Sequence, residues 1–125
     1  MKMHHVGIAC SPIESGIRFV ENNFVVIKKT DIIFDKVQNV DLCLLTLEDD
    51  SNIELVSGTT VEKFIKKRQF LYHTCWEVAD IHKSIEKFCN NGAILISEPK
   101  PAILFNDRKV SFLATDIGII ELLEA

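Results

Sequence analysis

Two histidines and two glutamates occupy matching places in the two halves of the sequence. His5 opens the segment HVGIA near the N-terminus, and His73 opens the segment HTCWE in the second half. Each half also closes on the tripeptide Ile-Glu-Leu, which places Glu54 in the first half and Glu121 in the second. Imidazole nitrogens and carboxylate oxygens bind divalent metals and transfer protons. The pattern therefore predicts metal or acid–base chemistry at four repeated positions.

The repeat extends beyond these four residues. A shift of 68 positions superposes His5 on His73, and it also superposes Ile13 on Ile81, Ile17 on Ile85 and Asn22-Asn23 on Asn90-Asn91. A shift of 67 positions superposes the two Ile-Glu-Leu tripeptides. We interpret this ordered set of matches as one structural unit used twice.

Each unit has the pattern of a strand and a helix followed by further strands. In the first unit, short β-rich runs predict strands at 5–10, 25–29, 32–34, 40–47 and 53–57. A capping-box pattern, Ser11-Pro12-Ile13-Glu14, predicts the start of the first helix. In the second unit, strands are predicted at 73–78, 93–97, 110–114 and 119–123, with a helix capped by Asp80 and a loop around Pro99 and Pro101.

These elements predict an α+β fold in which two βαβββ modules pair to form one curved mixed sheet around a central metal site. We expect a single domain over residues 1–125, with modules at about 1–58 and 69–125 and a connector helix at 59–68. Strand alternation places His73, Cys75 and Glu77 on one face, and His5, Gly7 and Ala9 on one face.

Composition excludes several classes of function. The chain has 125 residues, 47% of them hydrophobic, and a net charge of −4. An acidic chain lacks the basic surface that nucleic acid requires, and no apolar run approaches the ~20 residues of a membrane helix. Four cysteines form no C-x-x-C pair, and no hydrophobic signal region follows the N-terminus, so we expect reduced thiols and a cytoplasmic protein.

The joint pattern of His5, Glu54, His73 and Glu121 favours a divalent metal site. Pseudo-symmetry predicts that the first and last strands of both units approach a common concavity, and buried carboxylates need compensation there. Two imidazoles and two carboxylates suit zinc, nickel, cobalt, manganese or iron rather than calcium. The alternative is structural, because a single histidine in a strand is more often a core residue than a ligand.

At these residues the chain resembles the vicinal oxygen chelate superfamily, which includes glyoxalases, bleomycin resistance proteins and dioxygenases. The segments "HHVGIAC", "NIELVSG", "YHTCWEVADIHKSIEKF" and "IGIIELLE" look like the family's motifs, and the resemblance covers nearly the whole chain. It implies paired βαβββ modules and a divalent metal held by His5, Glu54, His73 and Glu121. It also implies an enzyme that stabilises an enolate while a carboxylate moves a proton. We favour Glu121 as the base and Glu54 as the group that returns the proton.

The resemblance is nearest to methylmalonyl-CoA epimerase, which implies an isomerase, and the alternative is a lyase of the lactoylglutathione type. A dioxygenase and a metal-free binding module are further alternatives, and the complete set of four ligands argues against both. The substrate class stays open between a coenzyme A thioester, a glutathione adduct and another small molecule.

Two further residues are predicted to bind substrate. Gln38 matches a glutamine that is common in epimerases, and Arg108 lies where epimerases usually carry a glycine pair, so it is a candidate for a substrate carboxylate or phosphate. The partners that we expect are a small-molecule substrate and a second copy of the chain in a homodimer, with neither nucleic acid nor membrane.

Overall fold

The computed structural model describes residues 1–125. The chain forms two compact units, one of residues 5–72 and one of residues 1–4 with 73–125. Ten β-strands and three α-helices account for most of the chain, and parallel and antiparallel strand pairs both occur.

The first unit is a five-stranded arrangement with one helix packed on it. Its elements are β1 (Lys2–Ala9), α1 (Ile13–Asn23), β2 (Val26–Lys29), β3 (Ile33–Asp35), β4 (Val40–Leu47), β5 (Asn52–Ser57), a 3-10 turn (Thr59–Val61) and α2 (Glu62–Lys66). The strand order is β2-β4-β5-β1, with β3 also paired to β4. Strand β5 is parallel to β1 and antiparallel to β4. The apolar stripe of α1 packs on the strand residues Cys43, Leu45 and Leu55, so this face of the unit is core.

The second unit repeats this arrangement. Its elements are β6 (Leu71–Val78), α3 (Ile81–Asn90), β7 (Ile94–Leu95), β8 (Lys100–Ala102), a 3-10 turn (Ile103–Phe105), β9 (Arg108–Thr115) and β10 (Gly118–Glu124). The strand order is β6-β10-β9-β7, with β8 also paired to β9. Strand β10 is parallel to β6 and antiparallel to β9. Helix α3 packs on Leu113, Ile120 and Leu122, which again leaves the opposite strand face for other groups.

The element order confirms the α+β prediction, and each unit has the predicted βαβββ order with one additional short strand, β3 in the first unit and β8 in the second. The predicted connector helix at 59–68 is shorter than expected, because a 3-10 turn at Thr59–Val61 precedes a helix of only five residues, Glu62–Lys66. The predicted loop around Pro99 and Pro101 was correct for Pro99, which lies between strands, and wrong for Pro101, which lies in β8. Residues Lys100–Ala102 pair with the start of β9 as an edge strand, a position that tolerates the missing N–H of proline.

The two predicted helix caps had different outcomes. The Asp80 side chain accepts a hydrogen bond from the Lys83 backbone N–H at 3.0 Å, which confirms it as the cap of α3. The capping box at Ser11–Glu14 was wrong, because Pro12 itself is the cap residue of α1 and no side chain caps that helix.

No helix combines the length and hydropathy that a membrane crossing requires. None of the four cysteines forms a disulfide. The cytoplasmic location inferred from the cysteine pattern stays a prediction.

Candidate functional site

The first unit buries a histidine–glutamate pair. Strands β1 and β5 run parallel with Gly7 opposite Glu54, and His5 precedes Gly7 by two residues on the same face. His5 Nε2 lies 3.6 Å from Glu54 Oε1, and the two side chains are 0% and 4% exposed. This face is opposite to the one covered by α1, because Leu55 points to the helix and Glu54 therefore points away from it.

The second unit buries the equivalent pair. Strands β6 and β10 run parallel with Cys75 opposite Glu121, and His73 precedes Cys75 by two residues. His73 Nε2 lies 3.2 Å from Glu121 Oε1, and the side chains are 1% and 3% exposed. The ring of Phe112 meets the imidazole edge to face, with 5.3 Å between ring centroids, and it supplies an apolar wall to the pair.

The two pairs have the same origin in strand register. In each unit the histidine lies two residues before the residue that faces the glutamate, and the two strands are parallel. The sequence repeat therefore corresponds to a repeat of local geometry, with one buried imidazole and one buried carboxylate in each unit. A core built for packing alone has no need of a carboxylate, because burying a charged group is costly.

The separations within the pairs fit ligands of a cation. Two donor atoms that are each about 2.1 Å from one ion lie about 3.0 Å apart at right angles and about 3.4 Å apart in a tetrahedral arrangement. The observed N–O separation of 3.2 Å in the second unit lies within this range, and that of 3.6 Å in the first unit is slightly above it. Imidazole nitrogen with carboxylate oxygen is also the donor set that zinc and the neighbouring transition metals accept. Either pair is therefore suited to contribute two ligands to a divalent metal.

Gln38 lies in the turn before β4 and is tightly anchored. Its side-chain amide donates to Asp35 Oδ2 at 3.0 Å, and its backbone carbonyl accepts from the Thr60 hydroxyl at 2.6 Å. Val40, the first residue of β4, is four positions from Leu44, which faces Glu54. Four strand residues span about 13 Å, so the start of β4 lies about 13 Å from the residue that faces Glu54. Gln38 precedes the start of β4 and is therefore outside the strand segment that contacts the buried pair. Its role in substrate binding stays a prediction.

Arg108 begins β9 and is held by two partners. Its guanidinium donates to the Glu77 carboxylate, and its Nε donates to the Glu124 carbonyl oxygen at 2.8 Å. The hydrogen bond from Arg108 holds the pKa of the Glu77 carboxyl below its usual range. Glu77 shares a strand face with His73, four residues away along β6. The pair thus lies on the face of the buried histidine, and the substrate-binding role of Arg108 stays a prediction.

The sequence reasoning missed the residues that support these groups. Phe112 was predicted only as part of a strand, and its place against the His73 ring follows from its pairing with Glu121. Asp35 was not singled out, although an aspartate three residues before Gln38 is a local turn pattern that favours such a bond. Glu77 was placed on the correct face, but its pairing with Arg108 spans 31 residues and has no local signal.

Comparisons with known proteins point to one family. The model of the glyoxalase/bleomycin resistance protein/dioxygenase superfamily matches residues 4–112, which is most of the chain. No curated protein matches the chain significantly.

Solved structures show the same fold. A hypothetical protein from Bacillus halodurans C-125 is 26% identical with a TM-score of 0.78, and the match covers 99% of this chain and 94% of that one. Methylmalonyl-CoA epimerase from Mycobacterium tuberculosis is 19% identical with a TM-score of 0.79, over 98% of this chain and 87% of that one. Methylmalonyl-CoA epimerase from Streptomyces coelicolor, in complex with 2-nitronate-propionyl-CoA, is 19% identical with a TM-score of 0.77, over 100% and 97%. The chain belongs to the glyoxalase/bleomycin resistance protein/dioxygenase superfamily.

Proposed function

We propose that this chain is a metal-dependent isomerase of the epimerase type, in which His5, Glu54, His73 and Glu121 hold one divalent cation. The observation that carries the proposal is the repeated buried pair, with an imidazole nitrogen 3.2–3.6 Å from a carboxylate oxygen in each unit. Two pairs of equal chemistry at equal register are expected when both contribute to one function. If the two pairs were separate ion pairs, each would carry the free-energy cost of burying charged groups, and no catalytic role would account for that cost.

The four side chains divide the work between binding and proton transfer. The imidazoles of His5 and His73 are neutral ligands, and the carboxylates supply the two negative charges that balance a divalent cation. Cobalt, nickel, zinc, manganese and iron all fit this set. When bound, such a cation acts as a Lewis acid that stabilises the negative charge developing on a carbonyl oxygen as the adjacent C–H bond breaks.

Glu121 removes the substrate α-proton in this proposal, and Glu54 returns a proton to the opposite face of the same carbon. The two carboxylates come from equivalent strands of the two units, Glu54 from β5 and Glu121 from β10. Removal on one side and return on the other inverts the configuration at the carbon, which is the reaction of an epimerase. General acid–base groups of this kind contribute about 10²–10⁴-fold to a rate.

Exchange of the substrate α-proton with solvent tests the proposal directly. Purified chain is analysed for bound metal, loaded with cobalt or zinc, and incubated in deuterium oxide with methylmalonyl-CoA and, separately, with the methylglyoxal–glutathione adduct. We expect exchange with the first substrate, and exchange only with the second would identify the lyase alternative. A chain that binds no divalent metal would overturn the proposal.

The variant Glu121→Gln separates metal binding from proton transfer. We expect it to bind metal through the three other ligands and to lose at least about 100-fold in the exchange rate, because an amide cannot accept the proton. The matched control is Glu86→Gln, which makes the same change on an exposed position of α3 and should exchange at the wild-type rate. Undiminished exchange in Glu121→Gln would assign the base elsewhere.

We further propose that the functional form is a homodimer. Mixing His5→Ala chains with His73→Ala chains tests whether one site takes its ligands from two subunits. If the site forms between subunits, an equal mixture regains about a quarter of the metal sites, since about half of the dimers are then mixed and each mixed dimer has one intact set of ligands out of two. If each chain forms its own site, the mixture stays as inactive as either variant. Light scattering measures the dimer itself.

A further inference from the structure

A row of polar side chains crosses the first unit beside Glu54. Thr46 of β4 faces Asn52 of β5, and Lys28 of β2 faces Thr46, so the three residues form one line across three strands. The Thr46 hydroxyl donates to Asn52 Oδ1 at 2.7 Å, which shows that both side chains lie on the same face. Asn52 precedes Glu54 by two residues, and strand alternation places it on the face of Glu54.

The neighbouring lysine confirms the face on which Lys28 lies. Lys29 pairs with Glu21 of α1 through a contact of 3.1 Å, so its side chain is on the helix side of the unit. Lys28, the adjacent residue of the strand, is therefore on the opposite side, which is the side of Glu54. Lys28 is exposed, whereas Thr46 and Asn52 are half-buried.

The equivalent row of the second unit has the opposite character. Ile94 of β7 faces Ala114 of β9, and Ala114 faces Ile119 of β10, two residues before Glu121. All three side chains are apolar, and Ile94 is 70% exposed although it is a large hydrophobic residue. The register is the same in both units, because Thr46 lies two residues from the partner of Glu54, and Ala114 lies two residues from the partner of Glu121.

Structural roles alone do not explain this difference. A lysine on an edge strand protects the edge from pairing with other chains, and a Thr–Asn hydrogen bond supports a hairpin. The equivalent edge position in the second unit carries an exposed isoleucine, so edge protection is not maintained at this row. The polar row is specific to the unit that contains Glu54.

We propose that Lys28, Thr46 and Asn52 form a subsite for an anionic group of the substrate, a carboxylate or a phosphate. The proposal rests on the proposed function, since it assumes that a substrate reaches Glu54. The Lys28 ammonium and the N–H groups of the Asn52 amide are donors of the kind that bind such oxygens. The Thr46 hydroxyl donates to Asn52 Oδ1 and so orients that amide. Strands are about 4.8 Å apart and residues rise about 3.3 Å, so Lys28 lies about 10 Å across from Asn52, and Glu54 about 7 Å along from it.

Titration with simple anions tests the subsite without a substrate. The full chain, labelled with ¹⁵N, is titrated with inorganic phosphate and separately with malonate, both with and without zinc, while sodium chloride keeps the ionic strength constant. We expect saturable shifts at the amides of Lys28, Thr46 and Asn52 with at least one anion. Saturation by phosphate alone identifies a phosphate ester as the substrate class, and saturation by malonate alone identifies a carboxylate.

The decisive comparison is between Lys28→Gln and Lys29→Gln, which remove the same charge from opposite faces of β2. We expect Lys28→Gln to weaken anion binding about tenfold, because the charged donor is lost, and Lys28→Arg to bind within about threefold of wild type because it keeps the charge. The control Lys29→Gln removes the same charge from the adjacent residue on the other face and should leave binding within twofold.

The inference fails if neither anion saturates, or if Lys29→Gln weakens binding as much as Lys28→Gln. Metal binding is measured separately on the same samples by calorimetry. Anion binding without metal binding would overturn the proposed function and keep the subsite, and metal binding without anion binding would do the reverse.

Discussion

Replacing His73 with alanine should remove most of the stabilisation that a divalent metal gives to the folded chain. The His73 side chain is 1% exposed, and its Nε2 lies 3.2 Å from Glu121 Oε1. Its ring also packs edge to face against Phe112. Alanine therefore removes the donor atom and leaves a cavity between the Glu121 carboxylate and the Phe112 ring.

The expected magnitude follows from linkage between metal binding and folding. At a metal concentration 100 times the dissociation constant, the ion stabilises the folded chain by about 2.7 kcal/mol. Removing a residue that only hydrogen-bonds to a metal ligand weakens metal affinity about 10–100-fold. Removing the ligand itself should therefore weaken metal affinity by at least about 100-fold. At the same metal concentration the ion then contributes about 0.4 kcal/mol. For a chain of 125 residues, about 1 kcal/mol corresponds to roughly 3–5 °C in Tm.

The assay is thermal unfolding with chelator and with cobalt or zinc, for wild type and variant. The metal-induced rise in Tm should be roughly 10 °C in wild type and roughly 2 °C in His73→Ala. The comparison is made within each protein, because the cavity lowers the Tm of the variant with or without metal. The control His82→Ala removes an exposed histidine of α3 and should keep the full rise. A full rise in His73→Ala would refute the assignment of His73 as a ligand.

Three further predictions concern parts of the chain outside the metal site. The Arg108 hydrogen bond lowers the pKa of Glu77 below the ordinary value of 4.5, so the pair stabilises the fold above that pH and loses this contribution as the pH falls through the lowered pKa. Chemical denaturation should therefore show a smaller loss of unfolding free energy between pH 6 and pH 3 in Arg108→Gln than in wild type, and an equal loss in both would contradict the pairing. Burial raises the pKa of the Cys10 thiol to about 11, whereas Cys89 is exposed. Mass spectrometry should therefore find Cys89 alkylated first at pH 8, and faster labelling of Cys10 would contradict this order. Asp80→Ala should lower the free energy of unfolding by about 1 kcal/mol, because it removes the cap of α3; an unchanged denaturation midpoint would show that water replaces the cap.

The sequence was sufficient for the fold class. It also singled out the four residues of the proposed metal site, whose role as ligands stays a prediction. His5 and His73 each lie in a first strand that precedes a helix, and Glu54 and Glu121 each lie in a last strand, so a repeat and a period of two residues identify them. These are local signals, and hydrophobic patterning fixes which face of each strand meets the helix. The structure adds that both pairs form at the same register, at 3.6 Å and 3.2 Å.

Substrate-binding residues were harder to predict from sequence. Gln38 and Arg108 were chosen by resemblance, and the structure shows each of them held by a carboxylate of its own unit, Asp35 in one case and Glu77 in the other. The partner of Arg108 is 31 residues away, so no pattern in a short window reveals it.

What the sequence determined by itself is the repeated unit and the face of each strand on which its histidine and glutamate lie, because alternation along a strand and the apolar stripe of a helix are properties of neighbouring residues. Only the tertiary structure decided which residues lie beside each glutamate. Lys28 and Ile94 come from edge strands, and their rows depend on the pairing of β2 with β4 and of β7 with β9. That pairing includes a register shift between Val26 and Lys28, and a shift of one residue moves every following side chain to the other face. The polar row beside Glu54 and the apolar row beside Glu121 are therefore consequences of strand register, which is set between distant segments of the chain.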